Sequence, residues 1–307
     1  MPRGIKKNKE SKSTGDRMED LKILMNEKNR EFKYPILKFA SQEPPVTRIS
    51  FGEKHIDELT GGGLPSKRFS IIWGPKGSSK STVCCKVIAE AQKIGKSCAY
   101  FDLENTFEPI WATKQGINLD TLLLGQGFVN AEQAMDAFIQ IVKSKTIDVI
   151  VFDSIQAMSP TAEQQTKKGV EKSIESDEMA LLARKLSKFF RVAAGSVYRS
   201  DVTVLLVGQT RMNLGGFFAL ETLSGGHALQ HWSSMTIHIT RGSKADAPTQ
   251  RITGTDGESE RVPIGFDCII KLEKRKVDSR PEGSKIHIPF YFECGFKENV
   301  CIPKVVI

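Results

Sequence analysis

In the stretch IIWGPKGSSKST, Ile71 to Thr82, Gly74 is followed five residues later by Ser79 and then by Lys80 and Ser81. These residue types suit a polyphosphate. Backbone N–H groups in a glycine-containing turn cradle the anion, the ammonium reaches its terminal groups, and the hydroxyl oxygen ligates Mg²⁺. The usual pattern has a second glycine where Ser79 stands. Serine carries a Cβ but is small, and Gly77, two places earlier, can absorb part of the backbone demand. A chance glycine-rich turn is the bland alternative. Two carboxylates argue against it. TIDVIVFDS is an apolar run ending in Asp153, the place for an acid that holds Mg²⁺ opposite the loop, although an aspartate capping the next turn has the same look. AYFDLENTFEPIW sets Glu104 just past another apolar run, where it can orient a water for in-line attack on a terminal phosphate; a surface carboxylate is the plain reading.

This chemistry needs the loop between a strand and a helix N-terminus. FSIIWG reads as a strand and KSTVCCKVIAEAQ opens a helix. From Phe51 to about Arg241, the β-branched runs FSIIWG, SCAYFDLE, DVIVFDS and VTVLLVGQT alternate with the helical patterns STVCCKVIAEAQKIG, AEQAMDAFIQIVKS and MALLARKLSKFFRVAAGSV. Such alternation predicts parallel strands with crossover helices. The later runs SMTIHITR, DCIIKLEKRK and KIHIPFYFE read as an antiparallel extension of the same sheet, and Gly242 to Arg261 as a polar loop. Ahead of the core, MPRGIKKNKESKSTG (residues 1–15) has the composition of a disordered basic arm. Residues 16–50 hold a helix with Met18, Leu21, Leu24 and Met25 on one side and Asp16 as its cap, then the short apolar piece ILKF. Residues 51–300 form the core.

The 307 residues suffice for one large α/β domain with small additions. Net charge is +8, and residues 1–49, with 12 Lys/Arg against 7 Asp/Glu, supply most of it. Any nucleic-acid surface on the balanced body must therefore be local. The six cysteines include no C-x-x-C pair and read as reduced buried thiols of a cytoplasmic protein. No apolar run is long enough to span a membrane, and the charged N-terminus lacks a signal-peptide core.

The order GGGLPSKRFSIIWGPKGSSKST, AYFDLENTFEPIW, IDVIVFDS, LLVGQTRMNLGGFF, ETLSGGHALQHWSS resembles the RecA recombinase family, bacterial RecA and its phage-encoded relatives, from about Ile36 to Phe296. The resemblance implies a RecA-type phosphate-loop ATPase core. Gly74, Pro75, Lys76, Gly77, Ser78, Ser79, Lys80, Ser81 and Thr82 match the ATP loop, with Ser81 and Asp153 holding Mg²⁺. Glu104 matches the catalytic glutamate and Lys80 serves with it. Gln209 matches the residue that senses the γ-phosphate and signals to DNA. Glu108 and Trp111 fall where the family places residues beside adenine; a core tryptophan is the even alternative. Lys274 and Lys276, two apart on a strand, share one face and match a pair that reaches a neighbour's ATP phosphates; an exposed basic edge is their bland reading. Ile36 to Phe39 match the arm strand that joins a neighbouring subunit's sheet.

Two segments resemble the family's DNA loops. The first follows Pro160 and carries Lys167 and Lys168; the second, TRMNLGGFFALETLSGG, carries Arg211, Met212, Ser224, Gly225 and Gly226. Phe217 and Phe218 either wedge between bases or anchor this loop. Arg184 and Arg191 match arginines that grip the DNA backbone. The expected function is ATP-dependent strand exchange in a helical filament on single-stranded DNA, with homologous duplex as second partner and ATP and Mg²⁺ as cofactors. The alternatives are an ATP-binding DNA-filament or regulatory module with little turnover, kept open by Ser79, and a ring helicase, disfavoured by the ILKF arm. Asn213 replaces a basic residue of the family, and the resemblance implies that the family's C-terminal domain is absent.

Overall fold

The computed structural model describes residues 16–155, 174–213, 220–223, 227–253, 259–277 and 281–296. The chain divides into two compact units at residues 46 and 47.

In the first unit, α1 (Arg17–Phe32) starts where the Asp16 carboxylate accepts the Met18 N–H at 2.9 Å. No residue of α1 is buried, and Met18, Leu21 and Leu24 are each about half exposed. Ile36 to Phe39 lies outside any strand. Its Leu37 N–H and C=O are both engaged by the Asn29 carboxamide, at 2.8 and 2.7 Å.

The second unit contains β1 (Arg48–Ile49), α2 (Lys54–Thr60), β2 (Leu64–Pro65), β3 (Phe69–Gly74), α3 (Lys80–Lys93), β4 (Cys98–Asp102), α4 (Pro109–Lys114), β5 (Leu122–Gly125), α5 (Ala131–Ser144) and β6 (Val149–Asp153). After these come α6 (Ile174–Arg199), β7 (Thr203–Asn213), β8 (Leu220–Leu223), α7 (His227–Trp232), β9 (Met235–Arg241), β10 (Thr249–Thr253), β11 (Ser259–Pro263), β12 (Gly265–Arg275) and β13 (Lys285–Tyr291). The main sheet runs β13-β12-β9-β3-β7-β6-β4-β5, with β8 paired to β7.

The block from β9 to β5 is parallel, and β12 and β13 add antiparallel strands. The sequence pattern assigned β9 to the antiparallel extension. It is instead parallel to β3, because the β8 hairpin and the short α7 return the chain to the starting end of the sheet. Within Gly242 to Arg261, expected as a loop, β10 and most of β11 pair antiparallel in unbroken register from Thr249–Pro263 to Thr253–Ser259.

Both faces of the sheet are buried, which explains why its strands read as continuous apolar runs. Ile72, Val149 and Val151 pack with α2 and α3 through Ile56, Leu59, Val83, Val87 and Ile88. Ile71, Trp73, Ile150 and Phe152 face the other way, against Phe138 and Val142 of α5 and Leu186, Phe190 and Val197 of α6. Phe138 is fully buried, with rings of Phe69, Phe101, Phe152 and Phe189 around it. Truncating it to alanine is a change of about 3–5 kcal/mol. This core fixes the C-terminal ends of β3, β4, β6 and β7 in one row, the end of a parallel sheet where ligands bind.

Candidate functional site

Register sets the row. Gly74 at the end of β3 pairs with Gln209 on β7, and Asp102 at the end of β4 pairs with Asp153 on β6. Gly74 has φ +154°, and a Cβ there would lie 1.9 Å from the Ile239 carbonyl oxygen, so only glycine lets β9 pass this close. The loop turns through Gly77 at φ +71° and Ser79 at φ +72°, and α3 then begins at Lys80. Ser79 therefore holds the left-handed backbone natural to a glycine. Its hydroxyl donates to the Ser78 carbonyl and lies 3.4 Å from Cys268 Sγ.

Lys80 is 8% exposed and donates to the Pro75 carbonyl at 2.7 Å. Burial lowers its pKa, while the charges of Asp153 and Glu104 oppose the shift. The Ser81 hydroxyl donates to Asp153 Oδ2 at 2.9 Å, and the Tyr100 hydroxyl donates to the same oxygen at 2.7 Å. Burial raises the Asp153 pKa, and these two hydrogen bonds pull it back. Burial, with the Asp153 charge second, lifts Tyr100 well above the usual phenol range, so its hydroxyl stays protonated.

Glu104 follows β4 on a turn shaped by Asp102. That buried carboxylate accepts the N–H groups of Glu104 at 3.2 Å and Phe107 at 2.7 Å, and the Gln126 amide at 2.7 Å. Glu104 Oε1 in turn accepts from the Gln209 amide and the Ser154 hydroxyl. Glu104, Gln209, Asp153, Ser81 and Lys80 thus converge on one end of the sheet, on four separate strands or their following turns.

Beside the loop lies a cleft of about 380 Å³ bordered by Gly77 to Thr82, Trp111, Arg241, Phe266, Phe290 and Phe292. The Trp111 indole N–H donates to Thr82 Oγ1 at 3.2 Å. Glu108 caps α4, accepting the N–H groups of Ile110 at 2.9 Å and Trp111 at 2.5 Å. Its carboxylate therefore fixes the helix that carries the indole. Arg241 Nε donates to the Gly77 carbonyl at 2.8 Å, and its guanidinium lies 4.3 Å from the Phe266 ring centre.

The remaining candidates are dispersed. The Lys274 ammonium donates to the Gln230 carbonyl, and that of Lys276 donates to the His231 carbonyl at 2.8 Å. Both ends meet the last turn of α7, whose C-terminal carbonyls attract cations. A bulge falls between Leu272 and Lys274, and there Glu273 accepts the Trp73 indole N–H at 2.7 Å. The Trp73 ring stacks on His238 at 3.8 Å and 10°. Arg184 and Arg191 are exposed on α6. Arg211 and Met212 lie on β7, paired with Thr222 and Glu221. Lys167, Lys168, Phe217, Phe218, Ser224, Gly225 and Gly226 lie outside the described residues.

Sequence reasoning missed Tyr100, Ser154, Arg241 and the phenylalanine wall. Only the wall had a readable signal, since Phe266 opens one alternating apolar run and Phe290 stands in another; the structure pairs the two in the β12–β13 register.

Ser81 and Asp153 offer a hydroxyl and a carboxylate, hard oxygen donors suited to Mg²⁺. Among the described residues no group of three or more His, Cys, Asp or Glu could hold a metal by itself.

A loop turning from a parallel strand into a helix, with an acid two strands along the sheet bonded to the serine after the loop lysine, defines an α/β protein of the phosphate-loop NTPase class. Comparison with known proteins narrows the class. The family profile of the RecA N-terminal domain matches residues 19–277, and the chain belongs to the RecA family. It is 39% identical over 231 residues to Protein RecA of Laribacter hongkongensis (strain HLHK9), covering 75% of this chain and 60% of that protein. It is 36% identical over 266 residues to Protein RecA of Marinobacter nauticus (strain ATCC 700491 / DSM 11845 / VT8), covering 85% of this chain and 71% of the relative.

Proposed function

We propose that this chain is a DNA-dependent ATPase that exchanges DNA strands as a helical filament on single-stranded DNA, taking homologous duplex as its second partner. The observation that carries the reading is the contact of Gln209 with Glu104. Gln209 is beside Gly74 in register, and its strand continues to the β7–β8 pairing at Thr210 to Asn213. One side chain therefore touches the carboxylate suited to activating water and stands at the root of the hairpin that leads into the expected DNA loop.

Lys80 and the N-terminus of α3 would hold the β- and γ-phosphates, and Trp111 with Phe292 the base. Ser81 and Asp153 would hold Mg²⁺, which supplies charge neutralisation on the phosphate oxygens. Glu104 orients the attacking water. In the chain as it stands, Gln209 and Ser154 tie up Glu104 Oε1. Freeing that oxygen by drawing Gln209 toward the phosphate would link nucleotide state to the β7–β8 pair. The exposed apolar side chains of α1, Met18, Leu21 and Leu24, support assembly with further copies of the chain. Among the described residues no helix is long and apolar enough to cross a membrane.

The test is ATP turnover with and without single-stranded DNA, with filament imaging, for the natural protein and Lys80→Ala. DNA should stimulate the natural protein, and Lys80→Ala should lose productive ATP binding and the stimulated turnover. Turnover that survives in Lys80→Ala would sink the site assignment. Fixed six-fold rings without filaments would point to a helicase.

A further inference from the structure

The Asp153 carboxylate is 7% exposed and takes two hydroxyl hydrogen bonds on the same oxygen, from Ser81 on α3 and Tyr100 on β4. The two donors differ in what else they do. Ser81 is itself a candidate ligand of Mg²⁺. Tyr100 is 3% exposed, and its ring packs edge-on against Phe107 at 5.2 Å. A buried phenol needs a partner for its hydroxyl, and Asp153 is that partner.

We propose that Tyr100 is a positioning residue of the metal–phosphate site, pinning the Asp153 carboxylate so that one oxygen serves Ser81 and the other keeps a fixed orientation for Mg²⁺. The inference rests on the Mg²⁺–nucleotide reading given above. A carboxylate's terminal torsion is broad and nearly two-fold, so a single hydrogen bond from Ser81 leaves its oxygens able to exchange places. A second donor on the neighbouring strand removes that freedom. Strand pairing makes the donor stiff: Tyr100 faces Val151, and Asp102 faces Asp153, in the β4–β6 register. Outer partners of this kind orient metal ligands, and losing one weakens metal binding by about 10–100-fold.

The experiment titrates Mg²⁺ against a fluorescent ADP analogue bound to the natural protein and to Tyr100→Phe. Phenylalanine keeps the ring against Phe107 and removes only the donor. The half-saturating Mg²⁺ concentration should rise about tenfold, while affinity for the analogue in EDTA stays within about twofold. An unchanged Mg²⁺ requirement overturns the proposal. An equal loss in EDTA also overturns it, because Tyr100 would then support the loop as a whole. In an Asp153→Asn background the same substitution should change the Mg²⁺ requirement by less than about twofold; a tenfold change there shows that Tyr100 acts through some other group. If the natural protein itself shows no Mg²⁺-dependent tightening, it is the underlying Mg²⁺ reading that fails, and the two failures are told apart.

Discussion

Ser79 stands where the phosphate loop usually has glycine, and its backbone takes the left-handed conformation of a glycine, φ +72° and ψ +11°. Holding a residue with a Cβ there costs about 1–2 kcal/mol. Ser79→Gly removes that strain but adds unfolded-chain freedom worth about 0.5–1 kcal/mol. It also loses the hydroxyl contact to the Ser78 carbonyl. With the hydroxyl contact counted at about 1 kcal/mol, the three terms nearly cancel and the net change stays within about 1 kcal/mol of zero. Ser79→Ala keeps the strain and loses the hydroxyl contact, so it should be destabilised by about 1 kcal/mol. Ser79→Val, β-branched at positive φ, should fall lower still.

Both variants lose the hydroxyl, so the gap between Gly and Ala is the strain relief less the unfolded-chain freedom, about 1 kcal/mol, a shift in Tm of about 2–4 °C for a chain of this size. Thermal unfolding of the four proteins reads it directly. Ser and Gly are expected close together, Ala below them and Val lowest, with nucleotide affinity of the Gly variant within about threefold of the natural protein. Turnover should hold or rise. An alanine variant as stable as the glycine variant refutes the strain argument. A collapse of nucleotide affinity in Ser79→Gly means that the loop binds phosphate along a different backbone path.

Two further outcomes are expected. Lys274→Ala with Lys276→Ala, and separately Lys80→Ala, should each lose DNA-stimulated ATP hydrolysis, while a mixture of the two proteins regains part of it, because some interfaces then join an intact loop to an intact lysine pair; mixed filaments with no recovered hydrolysis would show that the pair does not serve a neighbour's site. Burial, then the charges of Lys271 and Lys80, lower the His238 pKa from 6.5 to about 4. The unfolded chain therefore binds the extra proton between those values, so the stability held by neutral His238 is complete above about pH 6.5 and lost by about pH 4, about 1–2 kcal/mol once solvent screening of a partly buried ring is counted; denaturant midpoints across this range should flatten in His238→Asn, and an equal slope in both proteins refutes it.

The loop and both carboxylates were legible because each lies at or just past the carboxyl edge of a contiguous apolar strand pattern; Gln209 was reached through the family resemblance. Even the Ser79 departure was readable, although its φ was not. What escaped depends on contacts between distant segments. Arg241 meets Gly77 across 164 residues, Tyr100 meets Asp153 across 53, and Trp73 meets Glu273 across 200. No periodicity within one segment reports such pairs. The β10–β11 hairpin escaped for a different reason. TQRIT and SERVP are polar and largely exposed, so they lack the apolar alternation that marks a half-buried strand. The direction of β9 was lost because α7, only six residues long, carries too short a pattern to announce a crossover.

The lysine pair shows how one chain can hold a group meant, on the proposed reading, for another. In isolation both ammoniums cap the last turn of α7. A cation at a helix C-terminus is worth about 0.3–1 kcal/mol, so releasing the pair costs about 1–2 kcal/mol at most. Charge-assisted hydrogen bonds to phosphate oxygens are about twice as strong as neutral ones and act where water is excluded. A polyphosphate across an interface can therefore outbid the carbonyls, whereas a solvated surface anion cannot. The cap also explains why the pair need not be disordered before assembly. Lys274, whose pKa burial and the Lys276 charge both lower, is held close to its neighbour rather than spread into solvent. That crowding is relieved when a strong anion arrives between the two, which favours the bridging state over either lysine acting alone. Single substitutions should then cost more than half of what the double substitution costs, and the mixing experiment with each single variant would read it: equal, additive contributions from Lys274 and Lys276 would contradict a shared anion.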